Sequence, residues 1–70
     1  MEVFKLKEGE AYIELNNLLK RFNWVASGGE AKTVIKEGQV SVNGETETRV
    51  RKKMFAGDNV IFAEKEGKVE

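Results

Sequence analysis

The chain has 70 residues, which predicts a single domain over residues 1–70 with a small hydrophobic core. Apolar residues make up 40% of the sequence and charged residues 34%, a composition typical of a folded globular domain rather than a disordered tail. There is no cysteine and no histidine, so disulfides, Cys/His zinc sites and catalysis by a cysteine or histidine nucleophile are excluded.

The sequence also limits where the protein is expected to be located and which chemistry it is expected to carry out. No apolar run approaches the ~20 residues that a membrane span needs, and the first five residues, Met1 to Lys5, lack the basic and apolar regions of a signal peptide. The twelve acidic residues form no convergent acid/base pair in the sequence. We therefore expect a cytoplasmic protein that is not an enzyme and has no membrane partner, no metal and no cofactor.

Basic and acidic residues balance overall but are unevenly distributed. Twelve of each give a formal net charge of zero. Residues 20–53 contain eight basic and four acidic residues, whereas residues 1–19 and 54–70 each contain two basic and four acidic ones. The middle of the chain would form a basic face if folding brought its elements together.

The first half of the chain predicts a strand and then a helix. Val3 to Leu6 is typical of a short strand. From about residue 11 to 22, apolar residues recur at spacings of three and four, which predicts one buried helix face. The opposite, outer face of this helix carries four polar residues: Glu14, Asn17, Lys20 and Arg21.

A second helix is predicted over residues 28–37. Ser27-Gly28-Gly29-Glu30 has the form of a capping box, in which the Ser27 hydroxyl accepts from the Glu30 amide and the Glu30 carboxylate accepts from the Ser27 amide. Gly38 stands where a left-handed residue ends a helix. The two glycines in the first turn leave backbone amides uncovered at the positive end of the helix dipole, where a phosphate can approach.

A hairpin follows, because Val40 and Val42 alternate with polar residues and Asn43-Gly44 favours a type I′ turn. The return strand is expected to run to Arg49 or Val50, and its register is left open: a strict two-residue loop opposes Val42 with Glu45, unless a bulge or a strand end near Thr46 intervenes.

The last predicted strand covers residues 59–63, after a Gly57-Asp58 turn, and residues 64–70 are expected to be frayed. The predicted fold class is α+β, with two helices packed on a small, mainly antiparallel sheet. The periodicity assigns ten residues to the core: Leu15, Leu18, Leu19, Phe22, Val34, Ile35, Val40, Val42, Val60 and Phe62.

From Leu15 to Glu45 this chain has the pattern L-x-x-L-L-K-x-x-x-W-V-A-S-G-G-E-A-K-x-x-I-x-E-G-x-V-x-V-N-G-E, followed by G-D-x-V from Gly57 to Val60. This order of features resembles the S4 RNA-binding domain with its αL motif. The resemblance spans about residues 12–63 and is closest to the small stand-alone bacterial members, which E-T-R-x-R-K-K from Glu47 to Lys53 also fits. Most S4 domains have an arginine after the capping serine, where this chain has Gly28.

The resemblance implies a non-catalytic module that binds structured RNA, with ribosomal RNA as the leading partner and ribosome-associated proteins as further partners. The implied surface is the start of the second helix and the adjoining hairpin. Carried over position by position, the RNA-binding residues are Ser27, Gly28, Gly29, Lys32, Lys36, Arg49, Arg51, Lys52 and Lys53.

Two alternatives remain open at this point. A small protein–protein docking domain would have similar size and composition. Trp24 is either a core residue or a platform on which a base stacks.

Overall fold

The computed structural model describes residues 1–70 as two helices and seven short strands. The elements are β1 (Glu2–Phe4), β2 (Ile13–Glu14), α1 (Leu15–Arg21), α2 (Gly28–Lys36), β3 (Val40–Val42), β4 (Glu45–Thr46), β5 (Lys53–Met54), β6 (Asn59–Phe62) and β7 (Lys65–Val69). Five strands form a sheet in the order β1-β7-β6-β3-β4, and β2 pairs with β5 in a separate ladder. All pairs are antiparallel except β1 with β7, which confirms the predicted fold class.

One hydrophobic cluster of 15 buried residues joins the helices to the sheet. All ten residues that the periodicity assigned to the core are buried in it. Trp24 is also buried, with its ring 4.7 Å from that of Phe22 and its Nε1 donating to Glu2 Oε2 at 2.7 Å. Trp24 is therefore a core residue and presents no face on which a base could stack.

The first helix begins later than its periodicity predicts. Residues 11–14 are not helical, and Ile13 and Glu14 instead pair with Met54 and Lys53. The Leu15 amide then donates to the Lys52 carbonyl at 2.8 Å. This ladder fixes an extended backbone at Glu14 (ψ 143°), so the predicted start at residue 11 was wrong because a long-range pairing overrode local spacing. The first strand was also displaced: it covers Glu2–Phe4 and stops before Leu6.

The second helix starts at Gly28 as predicted and ends at Lys36, one residue before the predicted end, and its cap differs in one contact. Ser27 Oγ accepts from the Glu30 amide at 3.2 Å, but the Glu30 carboxylate accepts from the Ala26 amide at 2.7 Å and not from that of Ser27. At the other end, Gly38 has φ +77° and donates to the Ile35 carbonyl at 3.1 Å. The helix stops there because a left-handed residue turns the chain away.

The hairpin register is the strict two-residue one. Val42 lies opposite Glu45, and Asn43 and Gly44 have φ of 51° and 85°, as a type I′ turn requires. The return strand ends at Thr46, so its predicted continuation to Arg49 or Val50 was wrong. Because β4 ends at Thr46, the strict register with Val42 opposite Glu45 does not have to match the alternation of polar and apolar residues beyond Thr46.

The C-terminal segment was also predicted wrongly. Residues 65–69 are not frayed but form β7, which lies inside the sheet between β1 and β6. The β6–β7 turn uses Ala63 and Glu64 at φ 51° and 68°, without the Asn or Gly that normally marks such a turn. The apolar signal of β7 is limited to Val69, and its other inward residue is Gly67, which is why a strand was not expected.

Neither helix is long and apolar enough to cross a membrane.

Candidate nucleic-acid interface

Residues 49–53, which we call the basic loop, carry four cations. Arg49, Arg51, Lys52 and Lys53 line one open depression together with Phe55. The loop is held by its backbone, because the amides of Leu15 and Asn16 donate to the carbonyls of Lys52 and Val50 at 2.8 and 3.1 Å. The start of α1 therefore holds the backbone of the basic loop, and these bonds do not involve the side chains of the loop.

Arg49 differs from the other cations of the basic loop. Its guanidinium donates to both carboxylate oxygens of Glu47, from Nε at 2.8 Å and from Nη2 at 3.1 Å. This hydrogen bond lowers the pKa of the Glu47 carboxyl and raises the pKa of Arg49. No other ion pair within 4.0 Å occurs in the structure. The charges of Arg51, Lys52 and Lys53 are thus not compensated by direct pairing.

The second predicted region is the α2 entrance, Ser27 to Gly29. All three residues are exposed, and the amides of Gly28 and Gly29 have no intrahelical partner because they begin the helix. A Cβ at Gly29 would meet nothing closer than Ser27 Oγ at 3.9 Å. Packing therefore does not require glycine at the entrance, which is open to solvent.

Lys20 stands at this entrance, on the neighbouring helix. Its Nζ lies 3.8 Å from the position that a Cβ of residue 28 would take, and it is exposed. A cation thus sits beside the position where most S4 domains carry arginine. The sequence placed Lys20 only on the outer face of the first helix, and no periodicity reports which residue of another helix a side chain will approach.

The last two predicted residues lie along α2. Lys32 and Lys36 are exposed, are separated by one helical turn and form no ion pair. Lys36 is the last residue of the helix, where its charge is favourable to the helix dipole.

The nine predicted residues form two groups rather than one. Backbone bonds attach the basic loop to the start of α1, whereas the α2 entrance faces Lys20 near its end. A helix of seven residues spans about 10 Å. A depression on the outer side of α1 lies between the groups, lined by Glu10, Tyr12, Ile13, Glu14, Asn17, Lys20 and Arg21.

Exposed cations and free amides are suited to binding an anionic, phosphate-rich ligand. No group of three or more acidic, histidine or cysteine side chains in the chain is placed to hold a metal ion.

Comparison with known proteins supplies the family. A family model described as the S4 domain matches residues 4–70. The chain belongs to the S4-domain family. The match covers β7 as well as residues 12–63, so the C-terminal strand is part of the same domain pattern in this S4 domain.

Two relatives and one solved structure resemble this S4 domain. YbcJ of Escherichia coli K12, named as a candidate RNA-binding protein, is 52% identical over 52 residues, 74% of each chain. YbcJ of Shigella flexneri shows the same values. The solution structure of E. coli YbcJ, described as revealing an αL motif involved in RNA binding, has a TM-score of 0.74 and 45% identity, covering 99% of this chain and 86% of that one.

Proposed function

We propose that this S4 domain binds structured RNA through the basic loop, the α2 entrance and Lys20, without catalysing a reaction. Membership of the S4-domain family supports the RNA partner. The observation that carries the proposal is that seven of the eight cations in residues 20–53 have no acidic partner within ion-pair distance. Such cations can exchange their counterions for phosphates without first breaking an internal pair.

The proposed roles follow from side-chain chemistry. Arg51 is a forked donor that can hold two phosphate oxygens, whereas Lys52 and Lys53 make point-charge contacts. At the other group, Lys20 lies beside Gly28, and Lys32 follows Gly28 by one helical turn on α2. Lys36 extends this group along α2.

The spacing of the two groups supports a folded RNA as the partner. Because the groups lie at the two ends of α1, one ligand must present phosphates to both. A double-stranded or hairpin RNA does so with a fixed geometry, and A-form helices are recognised mainly by shape and backbone. Ribosomal RNA is the most abundant structured RNA in a cell, and we propose it as the partner, in the cytoplasm and beside ribosome-associated proteins.

Charge reversal in the basic loop tests this function. Arg51→Glu combined with Lys52→Glu should weaken binding to a fluorescein-labelled RNA hairpin by roughly tenfold or more, because two phosphate contacts become repulsions. The melting temperature should hardly change, since neither side chain forms an ion pair or belongs to the core. Fluorescence anisotropy and circular dichroism measure the two quantities.

The matched control is Lys5→Glu with Lys7→Glu, which changes the net charge equally in an exposed segment outside the proposed surface. If both double variants lose affinity equally, binding depends on total charge alone and the basic loop is not the site. Sequencing RNA crosslinked to the chain in cells would identify the partner, and recovery without enrichment of ribosomal RNA would exclude that assignment.

A further inference from the structure

The ladder between β2 and β5 places an aromatic pair beside the basic loop. Ile13 opposes Met54, and these side chains turn inward: Met54 is fully buried and Ile13 packs against the core. Strand alternation therefore turns the flanking pair, Tyr12 and Phe55, outward. They are 37% and 46% exposed, with ring centroids 5.7 Å apart and ring planes inclined by 52°.

The same outward face includes a cation of the basic loop. Lys53 lies opposite Glu14 in the ladder, and its Nζ is 5.0 Å from the centroid of the Tyr12 ring. Phe55 lines the depression that contains the four cations of the basic loop. Tyr12 lines the depression that continues along α1 towards Lys20. The aromatic pair thus borders the basic loop on one side and, on the other, a depression that Lys20 and Arg21 share with Glu10 and Glu14.

We propose that Tyr12 and Phe55 form a stacking platform for an unpaired nucleotide base, whose flanking phosphates are held by the basic loop. The inference rests on the proposed RNA-binding function and specifies which part of the RNA contacts this face. A base stacked on an aromatic side chain contributes binding without requiring a particular sequence, because every base has a π face.

The cations next to Tyr12 and Phe55 favour a nucleotide over an apolar protein surface as the ligand of this aromatic pair. Two exposed aromatic rings far from cations would suit an apolar protein surface, but here Lys53 contacts one ring and Arg51 and Lys52 share the depression of the other. An apolar partner would have to desolvate these cations without neutralising them. A nucleotide supplies a flat apolar base and an anionic phosphate at adjacent positions, and this matches the pattern.

The test compares two RNAs of equal length and charge: a hairpin with a large unpaired loop, and a fully paired duplex. The chain should bind the looped hairpin more tightly, by at least about fivefold, since a stacked base contributes about 1 kcal/mol or more. Tyr12→Leu with Phe55→Leu should remove that preference by lowering affinity for the looped hairpin much more than affinity for the duplex. Ile61→Ala, which alters an exposed apolar residue of the five-stranded sheet, should leave the preference intact.

A second measurement needs no variant and so does not depend on how the variants fold. A looped hairpin carrying 4-thiouridine in its loop is irradiated with the wild-type chain, and the crosslinked residue is found by mass spectrometry. A crosslink at Tyr12 or Phe55 supports the platform, and crosslinks confined to other residues overturn it. Equal affinity for the two RNAs also overturns it, although RNA binding itself stands. Failure to bind either RNA at low salt overturns the proposed function as well.

Discussion

Glycine serves opposite purposes at two places in this molecule. In β7, a Cβ at Gly67 would lie 2.5 Å from Phe22 Cε2 and 3.1 Å from Trp24 Cη2, so any side chain at residue 67 would force these core rings to move. At the α2 entrance, a Cβ at Gly28 or Gly29 would make only ordinary contacts at 3.8 and 3.9 Å. Glycine is structurally required in the sheet and structurally unnecessary at the entrance.

This difference separates the residues that maintain the fold from those that are free for binding. The Gly67 region belongs to the core that joins helices and sheet, whereas the entrance is exposed and has no packing reason for its composition. Substitutions that alter stability and substitutions that alter RNA affinity should therefore fall in different parts of the molecule.

Gly67→Ala should have the largest effect on stability. The added methyl group must displace the buried rings of Phe22 and Trp24, and overpacking of this kind costs about 1–3 kcal/mol. That is a large share of the roughly 3–5 kcal/mol expected for a domain of this size. Urea denaturation followed by Trp24 fluorescence measures it.

Gly29→Ala is the matched control for this substitution. It should leave the free energy of unfolding unchanged or slightly increase it, because alanine is favoured over glycine in helices by up to about 1 kcal/mol. If both substitutions destabilise the chain equally, the contrast between the two regions does not hold.

Lys20→Met should affect binding and not folding. It removes the exposed cation beside Gly28 while keeping an unbranched side chain that helices tolerate. We expect a severalfold loss of affinity for the RNA hairpin and a salt slope reduced by about 1. Lys65→Met, in β7 and outside the proposed surface, is the control. Equal losses from both would remove Lys20 from the interface.

The sequence predicted the features that depend on local chemistry. The Ser27 cap, the Gly38 end of α2 and the Asn43-Gly44 turn were all found, because each depends on residues close together in the chain. β7 was missed because Gly67 carries no apolar signal and its inward position is decided by Phe22 and Trp24, which are distant in sequence. Position 12 was assigned to a helix because the pairing of residues 13 and 14 with residues 53 and 54 also joins segments that are distant in sequence.

The sequence predicted which charged residues belong to the candidate site but not how they are arranged in space. The cations of residues 49–53 were evident, but the engagement of Arg49 by Glu47 and the approach of Lys20 to Gly28 depend on folded geometry. The sequence indicated one basic face if folding brought its elements together, whereas the contacts attach the cations to the two ends of α1.

Glu47→Gln sharpens the distinction between Arg49 and the other cations of the basic loop. It weakens the pair that holds Arg49 and removes a negative charge, so affinity for the RNA hairpin should rise by about twofold to threefold. Glu45→Gln removes the same charge from an exposed residue that does not pair with Arg49. A larger gain for Glu47→Gln measures the release of Arg49, and equal gains would mean that Arg49 is already available.

The smallest expected effect is a pH dependence of stability. The pKa of Glu47 is lowered from its ordinary value of 4.5, so the pair with Arg49 stabilises the folded state above that value. This contribution should be lost as the pH falls through the lowered pKa of Glu47. Because the Arg49 guanidinium is exposed, the loss is small. Urea denaturation of wild type and Glu47→Gln across this range should give curves that converge at low pH, and parallel curves would contradict the assignment.

The salt dependence of RNA binding tests the central claim most directly. For wild type, the logarithm of the association constant should fall with the logarithm of salt concentration at about −0.7 to −0.9 per phosphate contact. Four to six contacts would give a slope of roughly −3 to −5. Arg51→Glu with Lys52→Glu should make it shallower by at least about 1.4, since two contacts are lost. A wild-type slope near zero, or an identical slope in the double variant, would contradict a phosphate-binding role for the basic loop.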